Sequence, residues 1–228
     1  MDTVTMQTRI PAALAALAVA AGLGLAAPTG AAAQEQSLRT TVGWGLSLFH
    51  FSPFVERTAE ETAGASLENS LGGVLFLHHW LNPWVGIHAD GTYTRPRLMV
   101  PDQRATVDTW SVAVGGTLRP LGVPAPVGPF AMASAGLIRY GLGGPPLRLT
   151  DTDLILDTDR TEQFMFQLGA GLDVALLTLP GHEVLGLRAE AARLIVTGRP
   201  FRLEEQDDPG GHSHWRFSLG LHTSLPRH

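Results

Sequence analysis

The chain has 228 residues, no cysteine and a formal net charge of −5. The absence of cysteine excludes disulfide bridges, thiolate metal sites and a cysteine nucleophile. The negative charge argues against nucleic acid as a partner, because nucleic-acid binding depends on basic side chains that neutralise phosphates.

Residues 1–33 have the features of a cleaved signal peptide. Arg9 precedes an apolar run, Ile10–Ala27, and the small-residue stretch Ala31–Ala33 follows. A basic flank, a short apolar core and an A-x-A ending are the parts of a secretory signal; the alternative is an uncleaved membrane anchor. No later segment approaches the roughly 18–20 unbroken apolar residues of a spanning helix. We therefore expect an exported mature chain, 34–228, that can lie in a membrane only as a barrel.

The mature chain resolves into stretches in which apolar and polar residues alternate, the pattern of a β-strand with two different faces. In residues 84–94, WVGIHADGTYT, Val85, Ile87 and Tyr93 share one face, and His88 and Asp90 share the other. Eight such stretches are predicted, approximately at 37–50, 70–81, 84–95, 106–119, 128–142, 163–177, 183–197 and 214–225. The stretch FLHHWL, 76–81, gives no clear alternation.

The connections between these stretches fall into two length classes that alternate along the chain. Short connections are Asn82-Pro83, LGVPAPVG and LTLPG; the other four are longer and polar. Segregation of short turns to one end and long loops to the other is typical of bacterial outer-membrane barrels. It predicts that both chain ends lie on the short-turn side.

The two faces of the predicted strands differ in chemistry. The polar faces are rich in Gly, Ser, Thr and Ala with occasional charges, a composition that suits the narrow interior of an eight-stranded barrel. The apolar faces contain almost no charge, and a mid-bilayer Arg or Lys there would cost about 2–4 kcal/mol. Arg193 is the exception, and we expect it to extend towards the membrane interface.

With the motifs TVGWGLSLF, FQLGAGLDV and FSLGLH added to these features, the chain resembles the small eight-stranded outer-membrane barrels of the OmpA/OmpX type. The resemblance implies an all-β, eight-stranded antiparallel up-and-down transmembrane β-barrel located in the cell outer membrane. It also implies a monomer surrounded by outer-membrane lipid and lipopolysaccharide, inserted by the outer-membrane assembly machinery and without a cofactor. Aromatic girdles at the two interfaces would use the five tryptophans, Trp44, Trp80, Trp84, Trp110 and Trp215.

Several charged and imidazole side chains fall on the faces predicted to line the lumen. Buried charges need partners, so we expect a structural network of ion pairs in which Asp173 faces Arg188 on the next strand. A gated conduction path or a ligand site is the alternative use of such charges. The predicted network comprises Arg39, His88, Asp90, Arg139, Asp173, Arg188, Glu190, Arg216 and His222.

Two acidic runs, DTDLILDTD at 151–159 and EEQDD at 204–208, fall in predicted extracellular loops. Clustered carboxylates can bind divalent cations, but the spacing lacks the order of a calcium loop, and solvated acidic loops are favoured. Leu154–Leu156 is alternatively a hairpin that extends the barrel.

The sequence favours a non-enzymatic barrel with a structural or adhesive role. His212-Ser213-His214 and His222-Thr223-Ser224 leave open a barrel enzyme that modifies lipid A, although the pattern sends His222 and Ser224 into the lumen, away from lipid. A soluble, secreted, lipocalin-like carrier is the other alternative, because its barrel shares the same strand pattern.

Overall fold

The computed structural model describes residues 40–52, 66–100, 103–121, 127–142, 147–148, 155–156, 161–178, 184–198 and 211–225. The predicted signal peptide and Arg39 lie outside these ranges, as do most residues of the two acidic runs. Every regular element in the described ranges is a β-strand. No helix with the length and apolar character needed to cross a membrane was found among them.

The strands are numbered in chain order. They are β1 (Thr40–Phe51), β2 (Ser66–Leu67), β3 (Ser70–Trp80), β4 (Val85–Thr94), β5 (Arg97–Val100), β6 (Gln103–Leu118), β7 (Val127–Leu142), β8 (Leu147–Arg148), β9 (Ile155–Leu156), β10 (Thr161–Thr178), β11 (Val184–Val196) and β12 (His212–Ser224).

Eight long strands form a closed antiparallel barrel. Their order around the wall is β1, β3, β4, β6, β7, β10, β11 and β12, so each strand pairs with the next long strand in the chain. β12 then pairs with β1 and closes the cylinder. The predicted eight-stranded up-and-down barrel is confirmed, and closure leaves none of these strands with an unpaired edge.

Two short hairpins lie within the long connections, and one of them contains Ile155 and Leu156, for which a hairpin was the alternative prediction. β5 pairs with the first residues of β6, from Arg97 opposite Thr106 to Val100 opposite Gln103, and β2 adds to the free edge of β5. β8 pairs with β9, which places Leu147 opposite Leu156. The connection PRLMVPDQRA, predicted as long and polar, thus contains β5 and the start of β6, and its Leu98 is completely buried.

The wall alternates between interior and exterior positions in every long strand. In β4, His88, Asp90 and Thr92 are buried, whereas Ile87 and Tyr93 are exposed. The ambiguous stretch in β3 follows the same rule, with its inward positions at Phe76, His78 and Trp80 and its outward ones at Leu77 and His79.

One of the tryptophans predicted for the aromatic girdles does not belong to them. Trp80 is only 2% exposed and lies inside the barrel, whereas Trp84 and Trp110 occupy outward positions. The prediction was wrong because the irregular hydrophobicity of residues 76–81 concealed the orientation of this strand.

The outer face is a continuous apolar surface. Large exposed apolar side chains occur on seven of the eight long strands, and β7 instead presents the exposed Ala131, Ala133 and Ala135. Trp84, just before β4, and Tyr93, near its other end, are both exposed and are nine positions apart in sequence, about 30 Å along the strand. At the usual strand tilt this separation is about 21–25 Å along the barrel axis, close to the height of the apolar band on membrane barrels.

Glycines let large rings fit into the narrow interior. A Cβ at Gly43 would lie 2.6 Å from Cε2 of Phe76, and one at Gly171 would lie 2.8 Å from Cε1 of Phe130. Neither glycine can be replaced without moving a buried ring. The glycine-containing motifs of the sequence therefore make room for the aromatic contents of the lumen.

Candidate functional site

A group of hydrogen-bonded polar side chains lies near the middle of the lumen, around Arg216 of β12. Its Nη1 donates to Oδ1 of Asp90 on β4 at 2.6 Å, and its Nη2 donates to Oε1 of Glu190 on β11 at 2.6 Å. The guanidinium thus joins strands on opposite sides of the cylinder. The three side chains are between 1% and 8% exposed, so water screens these charges only weakly.

Asp90 has two further partners at its other oxygen. Nε2 of His88 lies 3.2 Å from Oδ2 of Asp90, and Nε2 of Gln167 on β10 donates to the same oxygen at 3.3 Å. A carboxylate that accepts several hydrogen bonds and contacts a guanidinium is stabilised in its ionised form. His88 and Asp90, two residues apart on one strand, therefore belong to the same hydrogen-bonded cluster.

A second cluster forms nearer the short-turn end, around Arg188 of β11. Its guanidinium lies 3.5 Å from both Asp173 and Glu190, and its Nη2 donates to Nε2 of His78 at 2.8 Å. Because a guanidinium can only donate, His78 accepts through Nε2 and is a neutral imidazole. The predicted pairing of Asp173 with Arg188 is present, and these residues are directly opposite each other.

Aromatic rings support the arginines of this second cluster. Arg188 lies 3.9 Å above the ring of Phe130, and Arg119, at the end of β6, lies 3.8 Å above the ring of Trp80. Arg119 also approaches Asp173 at 3.7 Å. Stacking of a guanidinium on a ring adds cation–π attraction and covers the flat face of the cation.

The charges inside the barrel are balanced. Among the described residues, the inward-facing carboxylates are Asp90, Asp173 and Glu190, and the inward-facing guanidiniums are Arg119, Arg188 and Arg216. All six side chains are at most 13% exposed. Buried ions are tolerated only when they are paired and hydrogen-bonded, and here each sign is matched by the other. We call this set, with His78, His88 and His222, the lower lumen.

Nine residues were predicted to form the lumen network. Arg39 lies outside the described residues. The structure places seven of the nine inside the barrel: His88, Asp90, Asp173, Arg188, Glu190, Arg216 and His222. His222 lies 3.9 Å from Asp173.

Arg139 is a correction, because it lies on the outer face. It occupies an outward-facing position of β7, directly opposite Trp110 on β6 and Glu162 on β10. Its Nη1 lies 3.1 Å from Oε1 of Glu162. Both faces of β7 consist largely of small or apolar residues. Arg139 was therefore wrongly predicted to face the lumen, because the alternation of polar and apolar residues along β7 is too weak to show which face is inside.

Three further residues of the network, His78, Arg119 and Gln167, were not predicted. The alternation of side chains along β6 and β10 places Arg119 and Gln167 on the inside of the barrel, and this alternation is the signal that would have identified them. His78 stands beside His79 in the irregular stretch of β3, so alternation could not show which of the two imidazoles points inwards.

The half of the lumen nearer the long connections is apolar and has a different composition. We call it the upper lumen, and its members are at most 4% exposed. They come from the long-loop ends of the strands and from β2 and β5: Phe49, Phe51, Leu67, Leu98, Val107, Ile138, Tyr140, Met165, Leu194 and Val196.

A tyrosine and two histidines place polar atoms among the apolar side chains of the upper lumen. The hydroxyl oxygen of Tyr140 lies 3.1 Å from Nε2 of His212 and 3.0 Å from Nε2 of His214. Because a hydroxyl carries one proton, it donates to one ring and accepts from the other. No group of three or more potential ligands arranged for a metal ion occurs in the described part of the chain.

The serine and histidine motifs do not form a catalytic arrangement where they are described. Ser213 points outwards and accepts a hydrogen bond from Arg193 at 3.2 Å, while the flanking His212 and His214 face Tyr140. Ser224 accepts a hydrogen bond from the backbone N–H of Val184 at 2.7 Å. Nucleophilic catalysis requires a base within hydrogen-bond reach of the hydroxyl; in the described ranges no serine hydroxyl is hydrogen-bonded to a histidine ring.

Comparison with protein-family models and with curated protein sequences gave no match, but solved structures with the same fold were found. Neisserial surface protein A is similar at a TM-score of 0.52 with 12% identity, over 82% of this chain and 97% of that one. The outer membrane protein OprG from Pseudomonas aeruginosa is similar at 0.55 with 9% identity, over 84% and 97%. Outer membrane protein AlkL, solved in lipid bilayers, is similar at 0.50 with 13% identity, over 88% and 95%. The chain has the fold of the small eight-stranded outer-membrane barrels.

Proposed function

We propose that the chain is an outer-membrane barrel with a structural role, whose filled lumen makes it a closed scaffold for the long connections. The observation that carries this proposal is the distribution of polarity across the wall. Arg216, Asp90 and Glu190 are buried inside, while large side chains such as Trp44 and Leu75 are 63% and 67% exposed outside. In water such an exterior would cause aggregation, but in a bilayer it faces lipid tails.

The same distribution argues against the soluble carrier. A soluble barrel that binds an apolar ligand would have an apolar interior and a polar exterior, whereas here ion pairs occupy the lower lumen. The buried side chains also leave little room for a continuous channel. Arg216, Tyr140 and Phe49 are each 1% exposed, and Gln167 and His78 are completely buried.

Fractionation of a Gram-negative host that produces the full chain tests the location. We expect the protein in the detergent-extracted outer-membrane fraction, with an electrophoretic mobility that shifts when the sample is boiled. Recovery of the protein in the soluble periplasmic fraction would overturn the proposal. In planar bilayers we expect the inserted protein to give no steady conductance, and a stable open channel would contradict the closed lumen.

We also propose that the long connections carry an adhesive function through their acidic sequences. DTDLILDTD and EEQDD both fall in connections on the long-loop side, and clustered negative charge attracts basic partners over about a Debye length. Neutral-lipid vesicles that contain the chain should bind a cationic peptide in low salt. Replacing Asp151, Asp153, Asp157 and Asp159 with Asn should weaken that binding, and equal binding by the variant would refute this role.

A further inference from the structure

The outward-facing arginines at the long-loop side differ in how their charge is balanced. Nε of Arg95 lies 2.8 Å from Asp108, and Arg139 is paired with Glu162. Arg193 on β11 is also exposed, but its hydrogen bond is to the neutral hydroxyl of Ser213. Within the described ranges no ion pair joins Arg193 to a carboxylate, and Ser213 is the hydrogen-bond partner of its guanidinium.

Apolar residues surround Arg193 on the outer surface. Its cross-strand neighbours are Leu168 on β10 and Trp215 on β12, and the next outward positions on its own strand are Ala191 and Ile195. This part of the wall belongs to the surface that we propose to face lipid. An isolated cation there is costly unless its head group reaches the interface or meets a counter-charge.

The conformation of the side chain meets the first of these requirements. Arg193 is directly opposite Trp215, but its guanidinium binds Ser213, which is opposite Ile195. The head group is therefore displaced by two residues, about 7 Å along the strand, towards the long-loop end. Extension of an arginine along the wall to the polar side is the expected behaviour at the edge of a hydrocarbon layer.

We propose that Arg193, with Ser213 and Trp215, forms a binding site for the phosphate group of a membrane lipid on the long-loop side. The inference rests on the proposed membrane location. Phosphate is the anion that a lipid layer supplies at this level, and a guanidinium binds it through two parallel N–H donors. Trp215, 43% exposed, is the amphipathic ring that favours the same interfacial depth.

The two paired arginines lie on a different part of the barrel wall from Arg193. Asp108 and Glu162 neutralise Arg95 and Arg139 on the β4, β6, β7 and β10 face. On the β11 and β12 face the charge of Arg193 is free to attract an anion from outside the protein. Arg139→Gln is therefore a matched control, because it removes an outward guanidinium that already has a carboxylate partner.

The experiment compares vesicles of a phosphate-free galactolipid with the same vesicles containing phosphatidic acid. The full chain is inserted into both, and the temperature at which the folded gel band disappears is measured. We expect phosphatidic acid to raise this temperature by about 2–4 °C for the unaltered chain. Arg193→Gln should abolish the increase, Arg193→Lys should retain part of it, and Arg139→Gln should retain all of it.

Each contrary result has a defined meaning. An undiminished increase in Arg193→Gln, or no increase in the unaltered chain after insertion, overturns the lipid site but leaves the membrane barrel intact. Failure of the chain to insert into either vesicle overturns the proposed function and this inference together. Inorganic phosphate added to galactolipid vesicles should not reproduce the increase; if it does so through Arg193, the site binds free phosphate and the assignment to a lipid is wrong.

Discussion

At the long-loop end the interior is packed with Phe49, Met165 and Leu194, whereas from mid-height downwards it holds Arg216, Asp90 and Arg188. Both halves fill a cylinder of the same eight strands, and the side chains named here are at most 3% exposed. The upper lumen is stabilised by contacts that have no preferred partner. The lower lumen is stabilised by pairs in which each member requires the other.

The two halves should therefore respond differently to substitution. A truncated apolar side chain leaves a cavity whose cost depends on how far its neighbours can relax, and a swap of similar volume is tolerated. A charged side chain cannot be removed alone, because its partner remains buried and ionised. The comparison between the halves can be tested by changes that separate loss of volume from loss of charge.

The largest effect is expected in the lower lumen. Arg216→Met keeps an apolar stem but leaves Asp90 and Glu190 facing each other without their shared guanidinium. We expect a loss of about 3–5 kcal/mol in the free energy of unfolding, measured by urea titration of tryptophan fluorescence in lipid vesicles. The double change Arg216→Met and Asp90→Asn, which leaves Glu190 paired with Arg188, should recover most of that loss. If Arg216→Met alone is as stable as the unaltered chain, the ion pairs of Arg216 do not contribute to stability.

A smaller effect is expected in the upper lumen. Leu194→Ala removes a completely buried side chain and should lower the unfolding free energy by about 2–4 kcal/mol in the same titration. Leu194→Met conserves volume and should cost less than about 1.5 kcal/mol. If the two substitutions destabilise the barrel equally, the loss of side-chain volume does not determine stability in the upper lumen. The proposed difference between the two halves would then be wrong.

Part of this arrangement could be predicted from the sequence because the wall of a barrel imposes a period of two on every strand. Alternation identified the eight strands, and in β4 it assigned His88 and Asp90 to the inside. The pair Asp173 and Arg188 followed from the register of two strands joined by a short turn. These features depend on residues that are close in sequence or related by a single turn.

Other features depend on contacts that no local pattern contains. The upper lumen was not predicted, because an inward position such as Met165 is no more apolar than the outward Phe164 and Phe166 beside it. Tyr140 meets His212 and His214 across 72 and 74 residues of sequence. Arg139 was assigned to the wrong face for a related reason, since β7 has apolar residues on both faces and only the pairing with Glu162 shows its direction.

Two adjacent glycines separate the effect of the crowded interior from that of the outer wall. A Cβ at Gly115 would overlap the side chain of Ser134, whereas a Cβ at Gly116 would have its nearest neighbour at 3.9 Å, the carbonyl oxygen of Gly86. Gly115→Ala should cost about 1–3 kcal/mol of unfolding free energy, and Gly116→Ala should stay within about 0.5 kcal/mol of the unaltered chain. Equal effects would mean that the lumen is not filled at this level.

The smallest effect is expected for an ion pair outside the barrel. Arg95 is 60% exposed and its partner Asp108 is 42% exposed, so solvent screens the attraction and exposed pairs contribute about 0–1 kcal/mol. Asp108 also accepts a hydrogen bond from the hydroxyl of Tyr93 at 2.8 Å, and it keeps this partner when the guanidinium is lost. Arg95→Gln should therefore change the unfolding free energy by less than about 1 kcal/mol in the titration used for Arg216→Met. If the two variants are equally destabilised, burial does not determine the strength of these pairs, and the lower lumen is not stabilised by being enclosed.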